Sequence, residues 1–402
     1  MAPRGGHTES RQGNPIPASI FRAYDIRGIV EEQLTEDSVR QISRGIGSEA
    51  LAYGIDTLLV GFDGRLSSPS LSRALTAGLL STGCKVVNLG MVPTPLLYYA
   101  SHTSGIESGV MLTASHNPAN YNGLKVVFKQ ACLAPKQIQK IRRRVEQGQL
   151  TDGAGSYSEL SIQPRYIEEI CSSVSLGRKL KLVVDCGNAV PGLVAPELFR
   201  ALSCEVEPLF CDIDGNFPNH HPDPTEADNL ASLSARVVAS QADLGIAFDG
   251  DGDRLGIVTN LGEAVDADKI LMLLVKHIAP KYPAAPIIYD VKCSSNLARV
   301  ITAMGAIPVM HRSGHSFMKQ KMQETGAPLG GEFSAHIFIK DRWFGFDDGL
   351  YAAARVLEIL SHLQHSAHEE FASFPSSLNT PEIKLPVPEA AKFELMQRII
   401  DK

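Results

Sequence analysis

The 402-residue chain has no run approaching the ~20 consecutive apolar residues of a membrane-spanning helix. It also lacks a surplus of positive charge: 38 Lys and Arg stand against 44 Asp and Glu, a formal net charge of −6. Nucleic acid and anionic membrane surfaces require a basic face, so neither is an expected partner. Cysteine is sparse, seven in all, at 84, 132, 171, 186, 204, 211 and 293, with no Cys-x-x-Cys pair. That scatter argues against a disulfide or zinc framework and for buried small thiols in a reducing cytoplasm. The opening MAPRGGHTESRQGNP has no apolar stretch of the secretory kind and reads as a loose polar leader over residues 1–15. The expectation is a cytoplasmic, monomeric protein whose partner is a small molecule.

What the chain does have is 44% hydrophobic and 20% charged residues, enough for real cores. At ~100–200 residues per domain its length predicts about two to four of them. A pattern recurs along it. Three apolar runs, TLLVGFD, KLVVD and PIIYD, end at Asp63, Asp185 and Asp290 and enter turns rich in Gly, Ser and Asn. Each leads to a helix-like segment (LSRALTAGLLSTG, GLVAPELFRALS, SSNLARVITAMG) and then to a short apolar strand (CKVVNLG, CEVEPLF, AIPVMHR). That is β–turn–α–β three times, the pattern of helix-crossed parallel sheets. A further strand in each block ends in an unusual loop: SHNP, DGDGDR and GEFSAH. Ligands bind outside the carboxyl ends of such strands, so three matching loops predict one shared cleft. The fold class expected is α/β, three consecutive similar domains with mixed, largely parallel sheets. The expected domains are 16–160, 161–263 and 264–375, with residues 376–402 the incomplete start of a fourth.

The loops differ in chemistry. In Asp249-Gly-Asp251-Gly-Asp253-Arg254 three carboxylates, separated only by glycines, repel one another unless a cation sits among them. Oxygen ligands suit a hard divalent ion, Mg2+ first. An EF-hand is excluded, since Arg254 and Asn260 occupy the positions that need Gly and Glu. Taken alone, Ser115-His116-Asn117-Pro118 reads as an ordinary Asn-Pro turn. Beside a metal loop the serine reads instead as a phosphoryl carrier, with Lys125 able to supply a cation. Gly331-Glu332-Phe333-Ser334-Ala335-His336 places a carboxylate, a hydroxyl and an imidazole on one expected extended face. Such a row suits the vicinal hydroxyls of a sugar and leaves His336 for phosphate or proton transfer. Arg22, Tyr24, Arg27, Lys292 and His315 complete a set of donors near strand ends.

In this order and spacing, FRAYDIRG, TASHNP, DGDGDR and GE-x-S-x-H resemble the α-D-phosphohexomutases, most closely the bacterial phosphomannomutase/phosphoglucomutase branch, from about residue 16 to the end. The resemblance implies four domains around one cleft, a phosphorylated serine, Mg2+, and hexose 1,6-bisphosphate as intermediate and activator. It makes Ser115 the phosphoserine and Asp249, Asp251 and Asp253, with Ser115, the metal ligands. Glu332 and Ser334 would hold sugar hydroxyls, and Tyr24, Lys292, His315 and His336 would contact substrate. Arg27, Lys125, Arg254 and His336 would surround the transferred phosphoryl group.

Two departures stand out. Phe333 and Ala335 replace the Met and Gly of the usual GEMSGH loop, and Ala335 fits only if its φ stays below zero. The chain also reaches Lys402 before any fourth-domain phosphate loop of the R-x-S-N-T type, so weak binding of hexose phosphates is expected. The reaction implied is reversible phosphoryl transfer between O1 and O6 of glucose or mannose, with phosphoglucosamine as an alternative substrate. Two rivals stay open. One is a phosphatase with an aspartyl nucleophile at Asp249 or Asp251, and the other is a non-catalytic phosphosugar-binding protein.

Overall fold

The computed structural model describes residues 16–376, 386–387 and 391–401. The leader expected over 1–15 and most of the strand expected at EIKLPVP lie outside the described residues, whereas the last helix, Lys392–Ile400, lies within them.

Each apolar run that ends in aspartate forms an inner strand of its own sheet. Thr57–Phe62 lies between the parallel strands Lys85–Met91 and Gly109–Leu112. Lys181–Asp185 lies between Glu205–Leu209 and Leu244–Phe248. Pro286–Asp290 lies between Ile307–His311 and Leu329–Gly331. Parallel neighbours need a crossover, and the helices Ser68–Leu80, Ala195–Ala201 and Ser295–Ala303 supply it. Because helices cover them, these strands carry unbroken Leu, Ile and Val rather than an alternating pattern. The sheet then turns back on itself in every unit: Tyr121–Phe128, Leu255–Thr259 and Ile337–Ile339 pair antiparallel with the third parallel strand. The three sheets are therefore mixed, as expected. The SHNP, DGDGDR and GEFSAH loops occupy the same place in each, between the last parallel strand and its antiparallel return.

One apolar cluster runs through all three units, from Leu59 and Met111 past Leu182 and Phe248 to Leu274 and Tyr351. At its centre Trp343 stacks on Tyr351 at 4.3 Å between ring centroids and on Tyr99 at 5.6 Å. Tyr166 meets it edge-on. Those rings come from the helices Thr94–Thr103, Gln163–Ser173 and Gly349–His362 and the turn before the last, so every unit contributes. Asp348 caps the helix Gly349–His362, accepting from Tyr351 N at 2.9 Å, from the Tyr166 hydroxyl at 2.8 Å and from Trp343 Nε1 at 3.1 Å. Burial pushes its carboxyl up to about 7 against these three donors.

Tyr166→Phe removes one donor from a buried carboxylate. The urea midpoint is expected to fall by the equivalent of ~1.5–3 kcal/mol with an unchanged m-value. A midpoint equal to that of the parent would show that this hydroxyl does not help to join the units.

Candidate active site

The strand Gly109–Leu112 is fully buried and delivers Ser115 to the aspartate loop of the second unit, 3% exposed and with φ at +51°. Its amide donates to Thr113 Oγ1 at 2.9 Å, and its hydroxyl donates to Asp249 Oδ2 at 2.7 Å. The second unit's loop can come this close only because Gly250 lacks a side chain: a Cβ there would stand 2.1 Å from the Ser115 carbonyl oxygen.

Asp249, Asp251 and Asp253 are each 0% exposed, and one oxygen from each lies within 4.8 Å of the others. Burial, followed by repulsion from Asp253 and Asp251, holds the Asp249 carboxyl well above the usual range. Asp251 Oδ1 is buried with no hydrogen-bond partner among the described residues, and Asp253 Oδ1 has only His336 Nε2, at 3.2 Å. Three converging carboxylates, one with an orphaned oxygen, fit a hard divalent cation. Lys125, expected beside a transferred phosphoryl group, pairs with Asp251 at 2.7 Å and with Asp253 at 2.6 Å. The reason is electrostatic, since buried anions require a counter-charge. Burial would depress the Lys125 ammonium, but these two carboxylates raise it above its ordinary value.

The GEFSAH segment is not the extended face expected. It forms a three-residue hairpin turn between Leu329–Gly331 and Ile337–Ile339, in which Ala335 N donates to Glu332 O at 3.0 Å and Glu332 N to His336 O at 2.9 Å. Three-residue hairpin loops finish in a left-handed residue, and Ala335 has φ of +71°. The condition that φ stay below zero is not met, and the strain is borne by the neighbours. Ala335 O accepts from Leu255 N at 3.1 Å, and Arg254 pairs with His336 in an isolated β-bridge. The turn nevertheless gathers the polar groups. His336 Nδ1 lies 3.1 Å from Glu332 Oε2 and 3.2 Å from Ser334 Oγ, and its Nε2 lies 3.2 Å from Asp253 Oδ1. Burial would depress this imidazole, but Asp253 and Glu332 outweigh it and carry it up to about 10.

The remaining expected residues fall around this centre. Arg27 hydrogen-bonds Asp25 and Asn117, beside the serine loop. Arg254 reaches toward Asp223 at 3.6 Å and Asp249 at 3.8 Å. His315 pairs with Asp347 at 3.2 Å and meets the Tyr24 ring at 6.0 Å. Lys292 is exposed in the turn after Pro286–Asp290. The sequence did not single out Thr94, whose hydroxyl donates to Asp251 at 2.5 Å, nor Asp347 and Lys319, which pair at 2.6 Å behind His315. Their partners are remote in sequence, so no local motif announces them.

Three α/β/α units that bring a serine, a carboxylate cluster and several cations together suit phosphoryl transfer within a sugar, the work of an intramolecular phosphotransferase. Comparison with known proteins agrees. The family descriptions "Phosphoglucomutase/phosphomannomutase, alpha/beta/alpha domain" I, II and III match residues 18–152, 164–262 and 266–377, and the chain belongs to that family. It is 52% identical over 384 residues to the phosphomannomutase/phosphoglucomutase of Pseudomonas aeruginosa, covering 96% of this chain and 83% of the relative. It is 44% identical to the phosphoglucomutase of Neisseria gonorrhoeae over 94% of this chain and 82% of the relative. A crystal structure of a phosphoglucomutase/phosphomannomutase family protein from Burkholderia thailandensis superposes with a TM-score of 0.89 at 47% identity, covering 91% of this chain and 82% of that one. The chain is a hexose phosphate mutase, an isomerase.

Two outcomes are expected from this geometry. Chelating divalent cations should lower the melting temperature, and Mg2+ at about 100 times its Kd should restore ~2.7 kcal/mol, with the response weakened in Asp251→Asn. A melting temperature indifferent to Mg2+ would contradict the cation site. Ala335→Gly should relieve the left-handed strain and stabilise the protein by ~0.5–1 kcal/mol in thermal unfolding. A destabilised glycine variant would show that Ala335 is not strained.

Proposed function

We propose that the chain interconverts the 1- and 6-phosphates of glucose, mannose or both, with Ser115 carrying the phosphoryl group and Mg2+ held by Asp249, Asp251 and Asp253. The observation that carries this reading is the Ser115 hydroxyl at 2.7 Å from Asp249, within a cluster of three buried carboxylates in which Asp251 Oδ1 lacks a partner. When bound there, the cation supplies positive charge to offset that of the transferred phosphoryl oxygens.

The residues of the chain do the rest. Phosphorylated Ser115 gives up its phosphoryl group: the Oγ–P bond breaks as a P–O bond forms to the free sugar hydroxyl. The hexose 1,6-bisphosphate so produced turns end for end, and its other phosphate returns to Ser115. His336, held between Asp253 and Glu332, exchanges the proton that the sugar hydroxyl loses or gains. Glu332 and Ser334 hold the sugar hydroxyls, while Tyr24, Lys292 and His315 bound the substrate on the third unit's side. Arg27 and Arg254 place positive charge beside the serine loop, and Lys125 neutralises the aspartates that face it. Closure by several domains keeps water from the phosphoserine. The division at residues 160, 263 and 375 belongs to the same reading, as does a cytoplasmic monomer acting on a soluble phosphosugar. Among the described residues no helix is long and apolar enough to cross a membrane.

Ser115→Ala should abolish turnover of both glucose 1-phosphate and mannose 1-phosphate, assayed with added hexose 1,6-bisphosphate, while leaving the melting temperature nearly unchanged. Loss of one hydrogen bond costs only ~0.5–1.5 kcal/mol, too little to unfold the chain. Parental turnover in this variant would place the phosphoryl carrier elsewhere.

A further inference from the structure

Just past the first inner strand, Asp63-Gly64-Arg65 carries an arginine into the interior. The Arg65 and Asp63 side chains are each 1% exposed. A guanidinium has five N–H donors and no acceptor, and in Arg65 all five are used. Nε donates to Asp63 Oδ2 at 3.1 Å. One terminal nitrogen donates to the carbonyls of Pro118 at 2.6 Å and Tyr121 at 3.0 Å. The other donates to the carbonyls of Ser115 at 2.8 Å and Asn117 at 2.7 Å. Phe217, from the second unit, packs over the guanidinium at 5.2 Å.

Four carbonyls of one loop thus converge on a single rigid fork. Only one anion, Asp63, faces that charge directly, so the side chain is spent mainly on shaping backbone. The loop needs shaping, because Ser115 sits at φ +51°, a conformation that a β-carbon disfavours. Asp63 is itself fixed, accepting from the Arg65 amide at 3.1 Å and from the Ser68 hydroxyl at 2.5 Å at the start of the helix Ser68–Leu80. The clamp is therefore anchored to regular structure.

We infer that Arg65 is a positioning residue for phosphoryl transfer: its fork fixes the backbone of residues 115–121 so that Ser115 Oγ faces the aspartate cluster and the incoming sugar oxygen. It acts through the loop without touching sugar or phosphate. The inference rests on Ser115 as phosphoryl carrier. A lysine keeps the charge but cannot span four carbonyls, so Arg65→Lys separates shape from charge.

The test uses the whole chain with Arg65→Lys, well below its melting temperature. The readouts are hydrogen–deuterium exchange, the Mg2+-induced thermal shift, and kinetics with glucose 1-phosphate plus glucose 1,6-bisphosphate. Exchange is expected to quicken over residues 114–122 only, with the Mg2+ shift retained. Turnover should fall about 100-fold or more while KM stays within about threefold of the parent. A kcat within about threefold of the parent, or unchanged exchange over 114–122, overturns the proposal. Faster exchange throughout the first unit, with kcat per folded molecule preserved, overturns it as well by showing a merely structural role. Should Arg65→Lys fail to fold, Asp63→Asn, which removes the anchor's charge, should give the same pattern at about a tenfold loss of kcat, and parental exchange and kcat there would overturn the proposal. Loop exchange and the Mg2+ shift are read without turnover. An active Ser115→Ala would therefore defeat the phosphoryl-carrier reading while leaving the clamp itself separately measured.

Discussion

Three aspartates removed from water are the constraint on which the rest of this molecule depends. Asp249, Asp251 and Asp253 expose nothing to solvent, and buried carboxylates must either neutralise or find positive charge. The positive charge comes from all sides. Lys125 reaches over from the first unit, Arg254 from the loop itself and His336 from the third. Breaking such a buried pair by removing one partner costs ~3–5 kcal/mol, so the relative placement of the units is coupled to the charge balance of the site. Asp253 shows the result: burial works against its ionised form, yet Lys125 and His336 prevail and hold its carboxyl well below the usual range. Asp249, with less compensation, stays high. A divalent cation among the three carboxylates would relieve Asp249 of that burden.

Close approach is the second requirement, and it is met by backbone rather than by side chains. The serine loop and the aspartate loop touch where Gly250 leaves room for the Ser115 carbonyl. The aspartate loop and the GEFSAH turn are tied by the Arg254–His336 bridge and the Leu255 amide. Behind these contacts the rings of Tyr99, Tyr166, Trp343 and Tyr351 join the same units through apolar contact and the shared Asp348 carboxylate. Polar contacts at the cleft and aromatic packing behind it hold one arrangement from two sides.

Much of this was legible in the residues, for physical reasons. Buried parallel strands read as unbroken apolar runs, so TLLVGF, KLVVD and PIIYD declared themselves as inner strands. DGDGDR was legible as a cluster because carboxylates separated only by glycines at the end of a buried strand must converge on positive charge. GEFSAH misled because polar residues at every second position imitate one face of a strand, and Ala335 hides the left-handed position that a glycine would have marked. Arg65, Thr94, Lys319 and Asp347 were missed because each acts through partners distant in sequence. A charged side chain read alone looks like surface. The nearest signal for Arg65 was its place two residues beyond an aspartate that ends an apolar strand, where ordinary surface charge is not expected.

The reaction is defined by which oxygen carries the phosphoryl group. The most direct measurement is intact-mass analysis of the chain after incubation with hexose 1,6-bisphosphate and Mg2+, followed by peptide mapping under acid. One acid-stable phosphate per chain is expected, on Ser115, which is lost to the sugar when hexose monophosphate is added. An acid-labile phosphate on Asp249 or Asp251, or a stable one on any residue other than Ser115, would contradict Ser115 as the carrier.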